Sequence, residues 1–279
     1  MKKVVSFSGG RTSACLCKVM IDKFGRDNVD FIFMDTGAEH PKTYEFIRKV
    51  NDEFGLNLVC LRGDFSRPLG GGVYYNIVDI NDIKQDLKPF EQMTSKYGIP
   101  YTGGMFCTDR MKLKPFKKYC DNTYGKKNYE TWLGIRADEP KRLTPKPFIK
   151  YMAEITDAEK QDVLNYWSKM PFDLNIDEWL GNCVFCPKKS NLKLAAAQRD
   201  EPKHYHDFIL LLTSDSVRVD DNTGHYSKMY RGKQSLQSLI TTFDGSTGEE
   251  IKSRIRGSKM IDTNSCSESC EVFNQQGLK

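Results

Sequence analysis

No run of apolar residues in this sequence approaches the length that crosses a bilayer. Met1-Lys2-Lys3 leads straight into a short apolar strand rather than a signal-peptide core. Such a chain predicts a cytoplasmic protein with no membrane partner. Internal repeats and low-complexity segments are also missing, which excludes repeat architectures and long disordered linkers. Histidine is scarce, with four in 279 residues. His204 and His206 stand two apart, so on a helix they point to different faces and do not share a metal. The N-terminal glycines fit neither GxxxxGK(S/T) nor GxGxxG, so the loop is neither a Walker A loop nor a dinucleotide fingerprint.

What is present describes a globular chain. Apolar residues make up 39% and charged residues 28%, enough to bury a sizeable core. We read a nucleotide-binding α/β domain over 1–180 and a helical, metal-binding extension over 181–279. The net charge of +5 fits an anionic substrate and permits nucleic acid without demanding it. Nine cysteines in a reducing compartment argue for metal or redox use rather than a disulfide framework. A homo-oligomer is equally permitted.

Strand and helix signals alternate through the first part. Val4 to Phe7, Val29 to Met34 and Leu56 to Leu61 read as apolar strands. Helices are expected from Thr12 to Phe24 and from Pro41 to Phe54. This β-α-β-α-β order predicts a parallel sheet with helices on both faces, a Rossmann-like α/β fold. Ligands of such sheets bind beyond the carboxyl ends of the strands, where Ser8 and Asp35 fall. Gly70-Gly71-Gly72 suggests a loop that closes over a substrate. A helix over Lys112–Cys120 and a strand over Tyr129–Leu133 follow. Thr156-Asp157-Ala158-Glu159 has the capping-box pattern before a further helix. Short helices over Leu192–Gln198 and His204–Leu212 complete the expectation.

The stretch Ser6-Phe7-Ser8-Gly9-Gly10-Arg11-Thr12-Ser13-Ala14 is the most informative. A strand that ends in Ser-Gly-Gly and turns into a helix surrounds a small concavity with bare N–H groups. Unpaired amides and the macrodipole there both favour an anion. Gly9 and Gly10 let backbone approach a phosphate with no Cβ between, and Ser8, Thr12 and Ser13 add hydroxyls.

This loop resembles the PP-loop of the adenine nucleotide alpha-hydrolases. The later segments resemble one branch of them, the phosphoadenosine phosphosulfate (PAPS) reductase family. Asp35-Thr36-Gly37-Ala38-Glu39-His40-Pro41-Lys42-Thr43 with Phe46 is similar to its second motif. Cys107-Thr108-Asp109-Arg110-Met111-Lys112 with Pro115-Phe116 is similar to its third. Gly134-Ile135-Arg136-Ala137-Asp138-Glu139 with Arg142 is similar to its fourth.

The resemblance implies that Ser8, Gly9, Gly10, Thr12 and Ser13 wrap the phosphates of ATP or PAPS. Phe7 and Met34, at strand ends, would offer backbone groups to adenine. Asp35 and Gly37 would meet ribose, nucleotide or Mg2+. Lys112, Gly134, Arg136 and Arg142 would line the phosphate or sulfate, the guanidinium groups binding it bidentately. Arg11, standing where PP-loops often carry Lys, joins Asp35 and Arg136 as a candidate catalytic group. His40 reads as a surface residue flanking a helix.

Cys183-Val184-Phe185-Cys186-Pro187 has the spacing that lets one turn ligate a single metal centre. Cys107 lies at the expected mouth of the sheet. The metal set is therefore read as Cys107, Cys183, Cys186 and, from the tail, Cys266. Cys15, Cys17, Cys60 and Cys120 read as packing residues. The sequence has no adjacent cysteine pair of the kind that adenylylsulfate reductases use. One cysteine followed much later by CxxC is more similar to tRNA-thiolation and DNA-phosphorothioation enzymes, which implies a 4Fe-4S cluster. A tetrahedral Zn2+ site closed by a tail cysteine is the alternative. A mobile redox pair formed by the tail cysteines, with Cys270 as nucleophile and a thiol as reductant, is the other alternative. Three functions stay open: an enzyme acting on the phosphate or sulfate of an adenine nucleotide, an ATP-dependent inserter of sulfur into tRNA or DNA, and a nucleotide sensor.

Overall fold

The computed structural model describes residues 1–219 and 229–257. Its centre is a six-stranded sheet made of β1 (Lys2–Phe7), β2 (Val29–Met34), β3 (Val59–Asp64), β4 (Tyr74–Val78), β5 (Tyr129–Leu133) and β6 (Ile149–Tyr151). The spatial order is β4-β3-β2-β1-β5-β6. All neighbours are parallel except β3 and β4, which are antiparallel. The mostly parallel α/β architecture expected from the alternating apolar runs is present.

Side chains alternate across β1 and sort into two cores. Val5 and Phe7 pack with α1 (Arg11–Phe24), α2 (Pro41–Phe54) and, through Trp167, the helix over Lys160–Trp167. Val4 packs on the opposite face with Phe116 and Cys120 of the helix over Lys114–Tyr124. The period of two along the strand thus explains why helices cover both faces. Cys15, Cys17, Cys60 and Cys120 are all buried in these cores.

A third core joins Ala38, from the loop after β2, and Met111, from the helical turn before the Lys114–Tyr124 helix, to Phe185, Leu194, Phe208 and Leu239 of the later chain. It unites α3 (Lys88–Tyr97), a short turn of helix α4 (Phe106–Thr108), and the C-terminal helices over Asn191–Asp200, Pro202–Thr213, Leu236–Thr241 and Gly248–Gly257. In chain order the helix over Lys114–Tyr124 is α5, Lys160–Trp167 is α6, and these four are α7 to α10. Residues on both sides of position 180 contribute to this core.

Three local expectations are corrected. The helix after α4 passes through a wide π-turn at Asp109–Leu113 before α5. At α6 the capping box is formed by Glu159 and Asp162, three residues later than the Thr156 pattern. Thr156 only accepts a bond from the Ala158 N–H, at 3.2 Å. His40 is buried at 5% exposure and caps α2, its Nδ1 accepting from the Lys42 N–H at 3.1 Å. Among the described residues no helix is long and apolar enough to cross a membrane.

Candidate functional site

The strand order reverses between β1 and β5, since β1 leads by α1 to β2 on one side and pairs with β5 on the other. Ligands of open α/β sheets sit in the crevice at such a point. Two segments face each other across it: Ser8-Gly9-Gly10 after β1 and Gly134-Ile135-Arg136 after β5. Their approach is close. A Cβ on Gly134 would lie 2.9 Å from Ser13 Cα and 3.1 Å from Ser13 N, contacts that only glycine avoids.

The loop after β1 is held open by its own hydroxyls. Ser13 Oγ donates to the Gly10 carbonyl at 2.9 Å and accepts from the Ser8 N–H at 3.2 Å. Ser8 Oγ lies 2.9 Å from Ser13 Oγ and must donate to it, because the Ser13 proton is already used. Gly9 has φ +81 and Gly10 takes the N-cap position of α1 without a side-chain cap. Ala14 N–H is the first to bond back, to the Gly10 carbonyl at 3.0 Å. The N–H groups of Gly9, Gly10, Arg11, Thr12 and Ser13 find no acceptor among the described residues. Five donors on a helix N-terminus make an anion cradle.

The candidate cations around this cradle share one property: each is held by a carboxylate. Arg136 is 1% exposed, donates from Nε to Asp138 at 2.8 Å and from Nη1 to Thr12 Oγ1 at 3.2 Å. It therefore ties the β5 loop to the cradle. Arg142 pairs with Glu139, whose other oxygen accepts from the Arg136 N–H at 3.2 Å. Lys112 Nζ lies 3.4 Å from Glu39 Oε1. With these charges matched in advance, the net attraction for an anion rests on the cradle amides and the helix dipole.

Arg11 is placed differently from the sequence expectation. Its fork points away from the concavity, to Asp173 at 2.7 and 2.8 Å and to the Leu174 carbonyl. Trp167 Nε1 donates to the Arg11 carbonyl at 3.0 Å. Arg11 thus pins the segment after α6 against the first turn of α1. Arg11→Ala is expected to cost about 2–4 kcal/mol in urea denaturation, because it strips the guanidinium fork from the Asp173 carboxylate and leaves it only the Leu174 N–H, and leaves the Leu174 carbonyl only the Ile176 N–H. Arg11→Lys should recover only part of that, since a single ammonium cannot reproduce the fork.

Asp35 and Gly37 stand at the end of β2, next to the cradle. Asp35 is fully buried and accepts from the Gly37 N–H at 2.9 Å, Tyr44 at 3.0 Å and Arg62 at 2.7 Å. Its oxygens shape the turn into α2. Gly37 has φ +69, and a Cβ there would lie 2.7 Å from Pro89 Cδ. Met34 and Phe7 are buried strand ends beside these turns.

Burial, then the neighbouring Glu39, raise the Asp35 pKa, against the opposing pull of Arg62. A carboxyl raised on folding stabilises the fold most below its ordinary value of about 3.9, and that contribution is lost as pH rises through the folded value. Stability of the wild type relative to Asp35→Asn should therefore fall over the first units above that pH and then level off. Denaturant midpoints across a pH series measure this.

The cysteine turn docks onto the same loop. Glu39 and Cys183 form an antiparallel bridge, and the Val184 N–H donates to the Ala38 carbonyl at 3.1 Å. Lys189, buried at 2% exposure, donates to the Trp179 and Val184 carbonyls at 2.6 and 3.0 Å. Arg231 donates to the Pro187 and Lys189 carbonyls, both at 2.6 Å. Cys107, Cys183 and Cys186 lie within electrostatic reach of one another. Burial, then Cys186, push the Cys107 thiol up to about 12, and burial holds Cys183 well above its ordinary value. Tyr230, at 1% exposure, lies within electrostatic reach of all three thiols, and its buried hydroxyl has no hydrogen-bond partner among the described residues. Three soft donors and an unsatisfied phenol suit an iron–sulfur or zinc centre in donor chemistry. Among the described residues, however, no three such side chains form a closed metal-binding group. Cys266 and Cys270 lie outside the described residues.

Sequence reasoning missed Asp173, Glu39, Tyr230, Lys189 and Arg231. Only Glu39 stood inside a motif; Asp173 and Arg231 are remote in the chain from what they hold, and Lys189, though near the carbonyls of Trp179 and Val184, carried no mark of being buried.

Residues 2–66 match the model of the phosphoadenosine phosphosulfate reductase domain. The chain is 47% identical over 281 residues to the uncharacterized nin region protein ORF290 of Escherichia phage lambda, covering 99% of this chain and 97% of that protein. It is 24% identical over 248 residues to the uncharacterized protein MJ0066 of Methanocaldococcus jannaschii, covering 84% of this chain and 46% of that one. A second protein of that organism, MJ0973, is 31% identical over 114 residues, 41% of this chain and 21% of its own length. The chain thus spans less than half of either archaeal relative.

Proposed function

Because the chain belongs to the family of the phage nin region protein ORF290, with the N-terminal phosphoadenosine phosphosulfate reductase domain of the PP-loop adenine nucleotide alpha-hydrolases, we propose that it is an enzyme that binds ATP or PAPS in the cradle and acts at its phosphate or sulfate. The observation that carries this is the set of five N–H donors without acceptors at the strand-order reversal. In this reading the amides of Gly9 to Ser13 take the phosphate oxygens, and Arg136 orients Thr12 from behind. Phe7 and Met34 backbone groups meet adenine. Asp35 fixes the turn whose Gly37 borders the ribose, and Mg2+ would approach from that side. Lys112 and Arg142 stand at the rim, paired with Glu39 and Glu139.

Cys107, Cys183 and Cys186 would hold a 4Fe-4S cluster, with Cys266 or Cys270 closing the shell and Zn2+ as the alternative. Such a cluster supplies redox-active iron and sulfur beside the nucleotide. In the reductase version a thiolate, for which Cys270 is the candidate, attacks the sulfate sulfur and the nucleotide departs as its phosphate. The bridge between Cys183 and Glu39 favours a second reading, because it sets the thiols against the nucleotide loop rather than on a remote tail. There ATP adenylates an oxygen of tRNA or DNA, and sulfur displaces AMP.

Anaerobic protein decides among these. Sulfite released from PAPS with a thiol donor supports reduction. AMP and pyrophosphate released from ATP only with tRNA or DNA support sulfur insertion. Nucleotide binding without product under either condition leaves a sensor, and no binding at all overturns the proposal.

A further inference from the structure

A second concave site, apart from the cradle loop, lies between α5 and the strands β5 and β6 at one end of the sheet. It is a cavity of about 470 Å³ lined by Lys117, Lys126, Lys127 and Lys146, with Tyr129 and Phe148 among its apolar walls. Its one acidic lining residue, Asp121, is already engaged, accepting from Lys117 at 2.8 Å and from the Tyr129 hydroxyl at 3.1 Å. Lys126 and Lys127 are exposed and meet no carboxylate among the described residues. Burial lowers the Lys146 pKa.

The backbone that carries the aromatic wall is hydrogen-bonded in place. Phe148 is 40% exposed, yet its carbonyl accepts from the Thr131 N–H at 2.8 Å, and the Ile149 N–H closes the turn on Lys146 at 3.2 Å. Phe148 and Lys127 both have positive φ, +62 and +66. A bulky residue rarely takes this conformation, and such outliers cluster where chains clamp ligands. An exposed ring on a hydrogen-bonded backbone, among lysines, offers a stacking platform amid positive charge.

We propose that this groove is a binding track for single-stranded nucleic acid, one base lying against Phe148 and the flanking phosphates beside Lys126, Lys127 and Lys146. Three features favour a strand over a free nucleotide. The lysines come from three segments, namely α5, the loop before β5 and the turn before β6, which suits several phosphates rather than one. No arginine lines the groove, so it has point charges that track a backbone and lacks the fork that grips a single phosphate. Leu113 lines one end, next in sequence to Lys112, which reaches Glu39 beside the cradle. A strand on this track would thus lead toward the nucleotide. The track would supply the acceptor that the sulfur-insertion reading needs, but it rests on the groove alone.

The test uses the full chain and a short fluorescein-labelled oligodeoxythymidylate or oligouridylate, followed by anisotropy over a salt series. Lys126→Ala/Lys127→Ala should weaken binding and lower the slope of log K against log salt by about 1.4, at about 0.7 per lost phosphate contact. Phe148→Asn removes the ring and keeps a residue tolerant of positive φ. It should weaken binding about tenfold or more while leaving the salt slope unchanged. Binding equal to wild type in both variants overturns the proposal, as does one-for-one displacement of the oligonucleotide by AMP. Circular dichroism and the heat of ATP binding are read on the same samples. A variant that loses oligonucleotide but retains ATP heat supports the track. A wild type that binds oligonucleotide but gives no ATP heat refutes only the cradle.

Discussion

Gly9→Val is expected to reduce the affinity for ATP, AMP or PAPS by at least about a hundredfold in isothermal titration. The reason is geometric before it is chemical. Gly9 sits at φ +81, where a β-branched residue is strained, and its Cβ would come 3.0 Å from Ile47 Cδ1 and 3.1 Å from Thr43 Cγ2. Both neighbours belong to α2, packed beneath the loop. The loop must therefore lift, taking the Gly9 and Gly10 amides off the phosphate. Two charge-assisted bonds of about 1.5–3 kcal/mol each account for the loss.

Some unfolding will accompany this change, so a second variant separates the two effects. Gly10 has φ −100, and the nearest atom to its added Cβ is Ser8 Oγ at 3.8 Å. Gly10→Ala should melt like the wild type while its methyl group narrows the concavity and weakens binding. Wild-type affinity in both variants would remove the cradle from any account of the protein.

The comparison of strands shows how much of this was readable in advance. β1, β2 and β5 place buried apolar residues on both faces of the sheet, and their limits agree with the sequence to within two residues. β3 begins three residues late, because the Leu58 N–H is taken by the Asn51 side chain at 3.0 Å before pairing starts. β4 and β6 gave no signal. The first is a half-exposed edge strand, and the second is three residues long and defined only by its partner β5.

The site divides along the same line. The cradle is local, built within eight residues, and its glycines announce it. The placement of Arg11 could not be read, since its partner Asp173 is 162 residues away and nothing about an aspartate marks it as a mate. The burial of His40 likewise depends on Glu201, at 2.9 Å from its Nε2. Motif residues predicted the neighbourhood of each cation; Asp138 and Glu139, which hold Arg136 and Arg142, stand in the same motif, whereas the pairing of Lys112 with Glu39 is a tertiary fact.

The largest spectroscopic effect is expected from the cysteine turn. Cys183→Ser should abolish bound iron and acid-labile sulfide, or zinc where zinc is the native metal, in protein purified without oxygen. The substitution is nearly isosteric, and the local fold relies on the backbone rather than the thiol. The bridge to Glu39 and the Cys186 N–H bond to the Cys183 carbonyl, at 3.2 Å, both survive it. What changes is the donor: a soft thiolate is replaced by a hydroxyl that stays protonated at neutral pH. Cys107→Ser and Cys186→Ser should behave alike, whereas Cys60→Ser and Cys120→Ser, in the apolar cores, should retain the metal. Because burial keeps the Cys107 thiol protonated up to about 12, metal uptake must displace its proton. Apparent affinity should then fall by about tenfold per pH unit for each thiol deprotonated, as pH is lowered. Iron or zinc content independent of all three cysteines, or an affinity flat with pH, would leave these thiols as packing groups around Tyr230.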